Sequence, residues 1–223
     1  FLAYKNAPQF LGKNKKSNIF ITGNPIRKNL KLLDKYEAKD KLGLNNDKKT
    51  IFILGGSQGS KAINTHLVNN LDFYNSGNFQ FYIQCGENNY EDFPEEFKES
   101  KDIIIKKFIE DISIIYSASD LVISRAGALA ITELCYMGKA MILIPFSFAA
   151  DNHQKLNAEE IKSNNACLMI EEKHLKEGVL EKKILDLMNN KKKIKELENS
   201  AKKISYDNSN TEIIQHINGI INE

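Results

Sequence analysis

The sequence predicts an α/β protein with a doubly wound, Rossmann-like parallel sheet and closing C-terminal helices. From residue 50 onward, short apolar runs alternate with stretches of helical character. The runs are TIFIL, FQFYIQ, DIIIKKF, DLVIS, AMILIP and ACLMI. Most are continuously apolar, which is typical of parallel strands covered on both faces. Strands separated by helices at this spacing indicate right-handed βαβ units.

The candidate helices lie between these runs, near residues 60–71, 112–118, 128–137 and 153–163. After residue 172, apolar residues recur at helical spacing, which predicts two or three closing helices. Residues 1–22 contain KNKK and turn-forming residues, so we expect a connector or the tail of a missing N-terminal domain there. The chain opens on FLAYKNAPQF rather than on methionine, which favours that interpretation.

Composition indicates an ordinary globular domain and excludes several classes. The 223 residues are 42% hydrophobic and 27% charged, enough for a core without disulfide or metal support. Lys and Arg number 31 against 29 Asp and Glu, so charge gives no reason to expect a nucleic-acid partner. Cys85, Cys135 and Cys167 lie in separate apolar runs, which predicts buried, reduced thiols. No run reaches the roughly eighteen apolar residues that a membrane span requires.

The stretch GGSQGS follows the run IFIL and precedes a helical stretch. It contains Gly55, Gly56, Ser57, Gln58 and Gly59. A glycine-rich turn from a strand into a helix is where open α/β sheets bind phosphates, because main-chain N–H groups can approach the anion. The spacing matches neither the dinucleotide fingerprint nor a Walker A loop. A tight turn without any ligand is the alternative.

A second strand ends in SRAG, and a helix is expected to begin near Gly127 or Ala128. Its first amides and the positive end of its dipole suit a diphosphate. Glu133 lies five residues further on, ~7 Å along the helix axis. That distance roughly matches the separation between the phosphate and the ribose of a nucleotide. The carboxylate could therefore accept hydrogen bonds from both ribose hydroxyls. The alternative is a solvated helix residue.

A third polar cluster follows the run AMILI, at the start of the last predicted helix of the sheet. Asp151, Asn152, His153 and Gln154 lie in sequence there. They could bind sugar hydroxyls, or Asp151 or Asn152 could simply cap the helix. We expect no metal and no cofactor, because the four histidines show no metal spacing and the chain has no Asp-x-Asp pair.

Together, TGNPIR, LGGSQGSKAIN, SRAGALAITE and IPFSFAADNHQKLNA occur in the order and spacing of the MurG family. This family comprises undecaprenyl-diphospho-muramoylpentapeptide β-N-acetylglucosaminyltransferases of bacterial cell-wall synthesis. The resemblance covers about residues 20 to 223. It implies that residues 23–223 form the UDP-sugar-binding, C-terminal half of a GT-B architecture.

The resemblance also implies roles for individual residues. Arg27 and Ser57 would contact the diphosphate, and Ile109 would hold the uracil edge through its backbone. Gln154, with His153 beside it, would bind the hydroxyls of N-acetylglucosamine. The helix start and the ribose carboxylate would come from Ala128, Leu129, Ala130, Ile131, Thr132 and Glu133. Many members of the family carry Thr where this chain has Ala130, so one hydroxyl near the phosphate is missing.

The activity that this resemblance implies is transfer of N-acetylglucosamine from UDP-N-acetylglucosamine to lipid-linked muramoyl-pentapeptide, with inversion. No catalytic residue is expected in this chain, because the base belongs to the missing half. We expect the whole protein to contact the cytoplasmic side of the inner membrane peripherally, to serve cell shape and division, and this fragment to be soluble. Two alternatives are another UDP-sugar GT-B glycosyltransferase and a non-catalytic nucleotide-binding module that completes a site with a partner.

Overall fold

A computed structural model describes residues 1–5, 7–10 and 18–221. Its six strands form one parallel sheet in the order β3-β2-β1-β4-β5-β6. They are β1 (Thr50–Leu54), β2 (Gln80–Gln84), β3 (Ile103–Lys106), β4 (Leu121–Ser124), β5 (Met141–Leu143) and β6 (Leu168–Met169). Each strand lies within one of the six apolar runs, so the predicted sheet is confirmed.

Ten α-helices occur in the described residues. They are α1 (Lys35–Leu42), α2 (Lys61–Asn69), α3 (Leu71–Tyr74), α4 (Glu95–Lys98), α5 (Ile112–Ala118), α6 (Ala128–Tyr136), α7 (His153–Ser163), α8 (Val179–Met188), α9 (Lys191–Lys203) and α10 (Ser209–Ile221). The last three confirm the predicted closing helices. None of the helices in the described ranges is long and apolar enough to cross a membrane.

The sheet is wound on both faces. In β1, Ile51 and Ile53 pack into one apolar cluster, and Phe52 and Leu54 pack into the other. This alternation follows from the two-residue period of a strand. Helices α2, α3, α4 and α8 contribute to the first cluster, and α1, α5, α6 and α7 contribute to the second. The doubly wound fold is therefore confirmed.

The strand order reverses at the centre of the sheet. The chain runs outward from β1 through β2 to β3, then returns to place β4 on the other side of β1. The connections after β1 and β4 therefore leave the sheet in opposite directions and open a crevice between them. Ligands of open α/β sheets bind at such a crevice, at the carboxyl ends of the strands.

A buried polar contact fixes α2 against α8. His66 Nε2 lies 2.7 Å from Glu181 Oε1, and the Tyr74 hydroxyl donates to the same oxygen at 2.8 Å. All three residues are buried. Because the N-terminus of α2 follows the glycine turn after β1, this contact holds the helix that carries one side of the crevice.

Residues 1 and 2 pack against residues 20 and 21 and against α10. The Leu2 N–H donates to the Phe20 carbonyl at 2.8 Å, and Leu2 forms an isolated bridge with Ile21. The rings of Phe1 and Phe20 contact His216 of α10. The predicted boundary at residue 22 stays a prediction, and residues 6 and 11–17 of the expected connector lie outside the described residues.

The three cysteines are confirmed as buried and free of disulfides. Cys85 is 0% exposed, Cys135 is 4% exposed and Cys167 is 3% exposed. Burial raises the pKa of the Cys135 thiol to about 12, with a smaller contribution from Cys167. Neutral thiols at these positions pack as small apolar side chains.

Candidate functional site

The two glycine-containing turns lie side by side at one edge of the sheet. Leu54 at the end of β1 is in register with Ser124 at the end of β4. The next residue, Arg125, donates its N–H to the Leu54 carbonyl at 3.3 Å. The turns that follow these strands therefore begin at neighbouring positions, as a shared ligand requires.

The turn after β1 depends on glycine for its shape. Gly56 has φ +90° and Gly59 has φ +75°, both in the region that favours glycine. A Cβ on Gly59 would lie 1.8 Å from the Cys85 carbonyl oxygen. This tight packing accounts for the glycines without any ligand, but it also leaves Ser57 and Gln58 exposed at the tip of the turn.

The turn after β4 leads into α6 with no side-chain cap. Gly127 is the N-cap residue and offers no side-chain hydrogen bond. The opposite case is α2, where the Ser60 hydroxyl accepts from the Ile63 N–H at 3.3 Å. The first amides of α6 therefore lack a side-chain acceptor, and an uncapped helix N-terminus favours an anion.

A cleft of about 760 Å³ opens between the two turns. Its volume is typical of small-molecule sites. We call it the switch-point cleft. It is lined by Leu54, Gly55, Gly56, Ser57, Gln58, Gly59, Ser60, Lys61, Ala62, Ser124, Arg125, Gly127, Ala130, Phe146, Gln154 and Glu172. The structure thus brings the predicted glycine turn, Ala130 and Gln154 together.

Gln154 is held in one orientation by the loop after β5. Its Oε1 accepts from the Phe146 N–H at 3.0 Å. Because Oε1 is engaged, the side-chain NH₂ is the group left for a ligand. His153, next to it, is exposed, and its Nδ1 lies 2.7 Å from the Ala150 carbonyl.

The capping interpretation of the third cluster is wrong. Asn152 occupies the N-cap position of α7 but makes no side-chain cap hydrogen bond. Asp151 and Asn152 have φ values of +49° and +52°, a left-handed conformation that Asn and Asp tolerate better than most residues. In this backbone conformation the two side chains present no oxygen to the first amides of α7.

Arg27 and Glu133 are joined directly. Arg27 Nε lies 2.6 Å from Glu133 Oε1, and the Tyr116 hydroxyl donates to Oε2 at 3.4 Å. Glu133 is 7% exposed, which excludes the solvated alternative. Burial raises the pKa of the Glu133 carboxyl, and Arg27 opposes that shift. The ribose role of Glu133 and the diphosphate role of Arg27 stay predictions.

Other predicted residues lie outside the lining of the cleft. The Ile109 N–H donates to Gln84 Oε1 at 3.0 Å, and Ile131 is 1% exposed in the core. Thr132 donates to the Ala128 carbonyl at 2.8 Å and faces a separate cavity of about 330 Å³. Leu129 is 61% exposed. The assignments of these residues, like those of Arg27, Glu133 and His153, remain untested.

Sequence reasoning missed Arg125 and Glu172. Arg125 is 9% exposed, and its Nη1 lies 2.5 Å from Glu172 Oε2 in an ion pair. The same nitrogen donates to the Ile144 and Pro145 carbonyls at 3.2 Å each, and the guanidinium lies over the Phe146 ring. Burial lowers the pKa of Arg125, and Glu172 opposes that effect. The only signal in the sequence was an arginine at a strand end.

The structure shows no candidate metal centre within residues 1–5, 7–10 and 18–221. No group of three or more His, Cys, Asp or Glu side chains there is arranged to hold a metal ion. The expectation that the site works without a metal stays a prediction.

The fold and the cleft define a class: a Rossmann-like domain of the kind that forms one half of a GT-B glycosyltransferase. A crystal structure of Acinetobacter baumannii MurG matches it with a TM-score of 0.69 and 25% sequence identity, over 90% of this chain and 57% of that chain. The chain belongs to the glycosyltransferase family 28 C-terminal domain family, whose profile matches residues 50–217.

Two curated relatives carry the same name, UDP-N-acetylglucosamine--N-acetylmuramyl-(pentapeptide) pyrophosphoryl-undecaprenol N-acetylglucosamine transferase. The protein from Flavobacterium psychrophilum is 38% identical over 176 residues, which are 78% of this chain and 47% of the relative. The protein from Finegoldia magna is 30% identical over 227 residues, covering 100% of this chain and 61% of the relative. The chain therefore spans about half the length of the curated relatives it matches.

Proposed function

We propose that this chain is the donor-binding half of a glycosyltransferase that uses UDP-N-acetylglucosamine. The pairing of β1 with β4 carries the proposal, because Leu54 lies opposite Ser124 and both turns open on one cleft. The names of the relatives support the choice of UDP-N-acetylglucosamine as the donor.

The diphosphate of the donor would lie between the glycine turn and the start of α6. As the bond to the sugar breaks, negative charge grows on the UDP leaving group. Fixed main-chain donors and a helix N-terminus stabilise such charge without reorganising. The bond from Arg27 to Glu133 uses Nε, one of five N–H donors, so Arg27 can hold Glu133 and still donate to a phosphate.

The sugars of the donor would lie on either side of the diphosphate. Each oxygen of the Glu133 carboxylate has two acceptor sites, so it can accept from ribose hydroxyls while Arg27 stays bound. The NH₂ of Gln154 would donate to hydroxyls of N-acetylglucosamine. The Phe146 N–H fixes that amide before the donor arrives, which lowers the entropy that binding would cost.

The complete reaction would be transfer of N-acetylglucosamine to lipid-linked muramoyl-pentapeptide in peptidoglycan synthesis, with inversion. Inversion requires a base on the acceptor side to take the proton of the hydroxyl group. We assign the base, the acceptor site and the peripheral membrane contact of the whole protein to the part of the relatives that this chain does not span. This chain would therefore bind the donor without turning it over.

Calorimetry of this chain with UDP-N-acetylglucosamine, UDP-glucose and NAD tests the proposal. We expect UDP-N-acetylglucosamine to bind most tightly, UDP-glucose less tightly and NAD not at all. Equal binding of both UDP-sugars would favour another UDP-sugar glycosyltransferase. Binding of NAD without either UDP-sugar would overturn the proposal.

A further inference from the structure

A carboxylate and an amide that line the switch-point cleft are linked through two other residues. The Arg125 guanidinium pairs with Glu172 and lies 5.4 Å from the centroid of the Phe146 ring. The Phe146 N–H in turn donates to Gln154 Oε1 at 3.0 Å. All four residues line the cleft. The Glu172 carboxylate and the Gln154 amide are therefore both positioned by the same short segment of the loop after β5.

Arg125 leaves one oxygen of Glu172 for a ligand. Oε2 is buried and lies 2.5 Å from Arg125 Nη1, whereas the Glu172 side chain as a whole keeps 16% of its surface exposed. Oε1 is therefore the oxygen that a group in the cleft can reach. An ionised carboxylate has no hydrogen to donate, so Oε1 can only accept.

The ion pair also explains how a carboxylate can lie in a cleft that we propose to bind a diphosphate. An unpaired carboxylate there would repel the diphosphate. Arg125 is 9% exposed and in direct contact with Glu172, so its positive charge offsets the negative charge with little screening by salt. A buried pair of this kind is weak evidence for a role in stability, since apolar side chains of similar volume often serve as well. A role toward the ligand accounts for a carboxylate at this position.

The cleft thus presents one fixed donor and one fixed acceptor. The Gln154 NH₂ only donates, and Glu172 Oε1 only accepts. A hydroxyl group matches both, because it donates one hydrogen and accepts through its lone pairs. An ionised phosphate oxygen carries no hydrogen for Glu172. The combination therefore suits a sugar hydroxyl better than the diphosphate.

We propose that Glu172 is a specificity-determining residue that accepts a hydrogen bond from a hydroxyl of the donor sugar, the same hydroxyl to which Gln154 donates. The proposal rests on the proposed function and deepens it. Glu172 lies outside the four motifs that carry the family resemblance. A donor without this hydroxyl would leave the carboxylate oxygen and the amide unpaired, which lowers affinity.

Glu172→Gln separates a role toward the ligand from a role toward Arg125. Arg125 has only donors, so the substituted amide must turn its single oxygen toward the guanidinium. Its NH₂ then faces the cleft in place of an acceptor. The variant therefore keeps a partner for Arg125 but cannot accept the hydrogen of the sugar hydroxyl.

Glu171 supplies a matched control next to Glu172 in the chain. Its carboxylate pairs with Lys173 at 3.1 Å and Lys155 at 3.6 Å, and it lines a different cavity, of about 290 Å³. Glu171→Gln makes the same chemical change outside the switch-point cleft.

The test is calorimetry of UDP and UDP-N-acetylglucosamine with the wild-type chain, Glu172→Gln and Glu171→Gln, with thermal unfolding of each. We expect Glu172→Gln to bind UDP-N-acetylglucosamine about tenfold more weakly and to bind UDP within about twofold of wild type. Glu171→Gln should keep both affinities. If Glu172→Gln leaves both affinities unchanged, or weakens both alike as a structural role through Arg125 would, the proposal is overturned.

A double-substitution cycle tests whether Glu172 and Gln154 hold the same hydroxyl. Gln154→Met should also weaken UDP-N-acetylglucosamine selectively. The combined variant should lose less than the product of the two single effects, because residues that share a partner are coupled. Effects that multiply in full would mean two separate groups and would overturn the shared contact.

A second variant decides if Glu172→Gln does not fold. Arg125→Met combined with Glu172→Met removes both charges together, so that neither stays buried alone. Selective loss of affinity for UDP-N-acetylglucosamine in this variant supports the proposal, and any other result overturns it. A wild-type chain that binds neither UDP nor UDP-N-acetylglucosamine defeats the proposed function itself.

Discussion

Among the substitutions that add one methyl group to the glycine turn, Gly59→Ala should distort the switch-point cleft most. The backbone at Gly59 has φ +75°, and an L-residue in the left-handed region costs about 1–2 kcal/mol. The added Cβ would also lie 1.8 Å from the Cys85 carbonyl oxygen and 2.6 Å from its carbon. These are main-chain atoms of the adjoining loop, so the turn itself must move.

Gly138→Ala separates the cost of a left-handed backbone conformation from the cost of the steric clash of the added Cβ. Gly138 has φ +61°, but its nearest neighbour to an added Cβ is Lys202 Cβ at 3.6 Å, and it lies outside the cleft. Urea unfolding should show a loss of about 1–2 kcal/mol for Gly138→Ala, with unchanged UDP affinity by calorimetry. Gly59→Ala should lose more stability and bind UDP at least ~tenfold more weakly. Equal UDP affinity in the two variants would refute the role of the turn.

Three further predictions concern single side chains. Glu133→Ala should weaken UDP binding by roughly 1–3 kcal/mol in calorimetry, and an unchanged affinity would exclude the ribose contact. Ala130→Thr should tighten UDP binding by about 0.5–1.5 kcal/mol in the same assay, because it adds a hydroxyl at the lining of the cleft, and weaker binding would count against this placement. Burial lowers the pKa of Lys139 to about 8, so the folded state holds this proton less tightly than the unfolded state and stability rises with pH above about 8. In urea unfolding, the free energy of unfolding of Lys139→Met should therefore exceed that of wild type by the largest amount below pH 8. This difference should shrink toward pH 10. A difference that does not change with pH would contradict this prediction.

The sheet was predictable because four of its six strands, β1, β2, β4 and β5, are buried on both faces. Five buried residues in a row, as in Thr50–Leu54, need a helix on each side, and the sequence contains helical stretches to supply them. The strand order was not predicted, because register and order depend on contacts between distant residues. Helix α1 was missed because KYEAKDKL is mostly polar and its single fully buried apolar residue, Ala38, gives almost no periodic signal.

The site was predictable where a motif sits at a strand end and not where two distant residues meet. The glycine turn and Gln154 were found because their neighbours in sequence show where the strand stops, whereas Ala130 was implied by the family resemblance. The ion pair between Arg125 and Glu172 joins residues 47 positions apart, and nothing local in either segment indicates the other.

The most direct test of the central claim is a crystal structure of this chain with UDP bound. The claim is that the turn after β1 and the start of α6 bind the same diphosphate. We predict phosphate oxygens within hydrogen-bond distance of main-chain N–H groups from both segments, in the cleft between Ser57 and Ala130. A diphosphate bound at only one of the two segments, or outside the cleft, would contradict the claim.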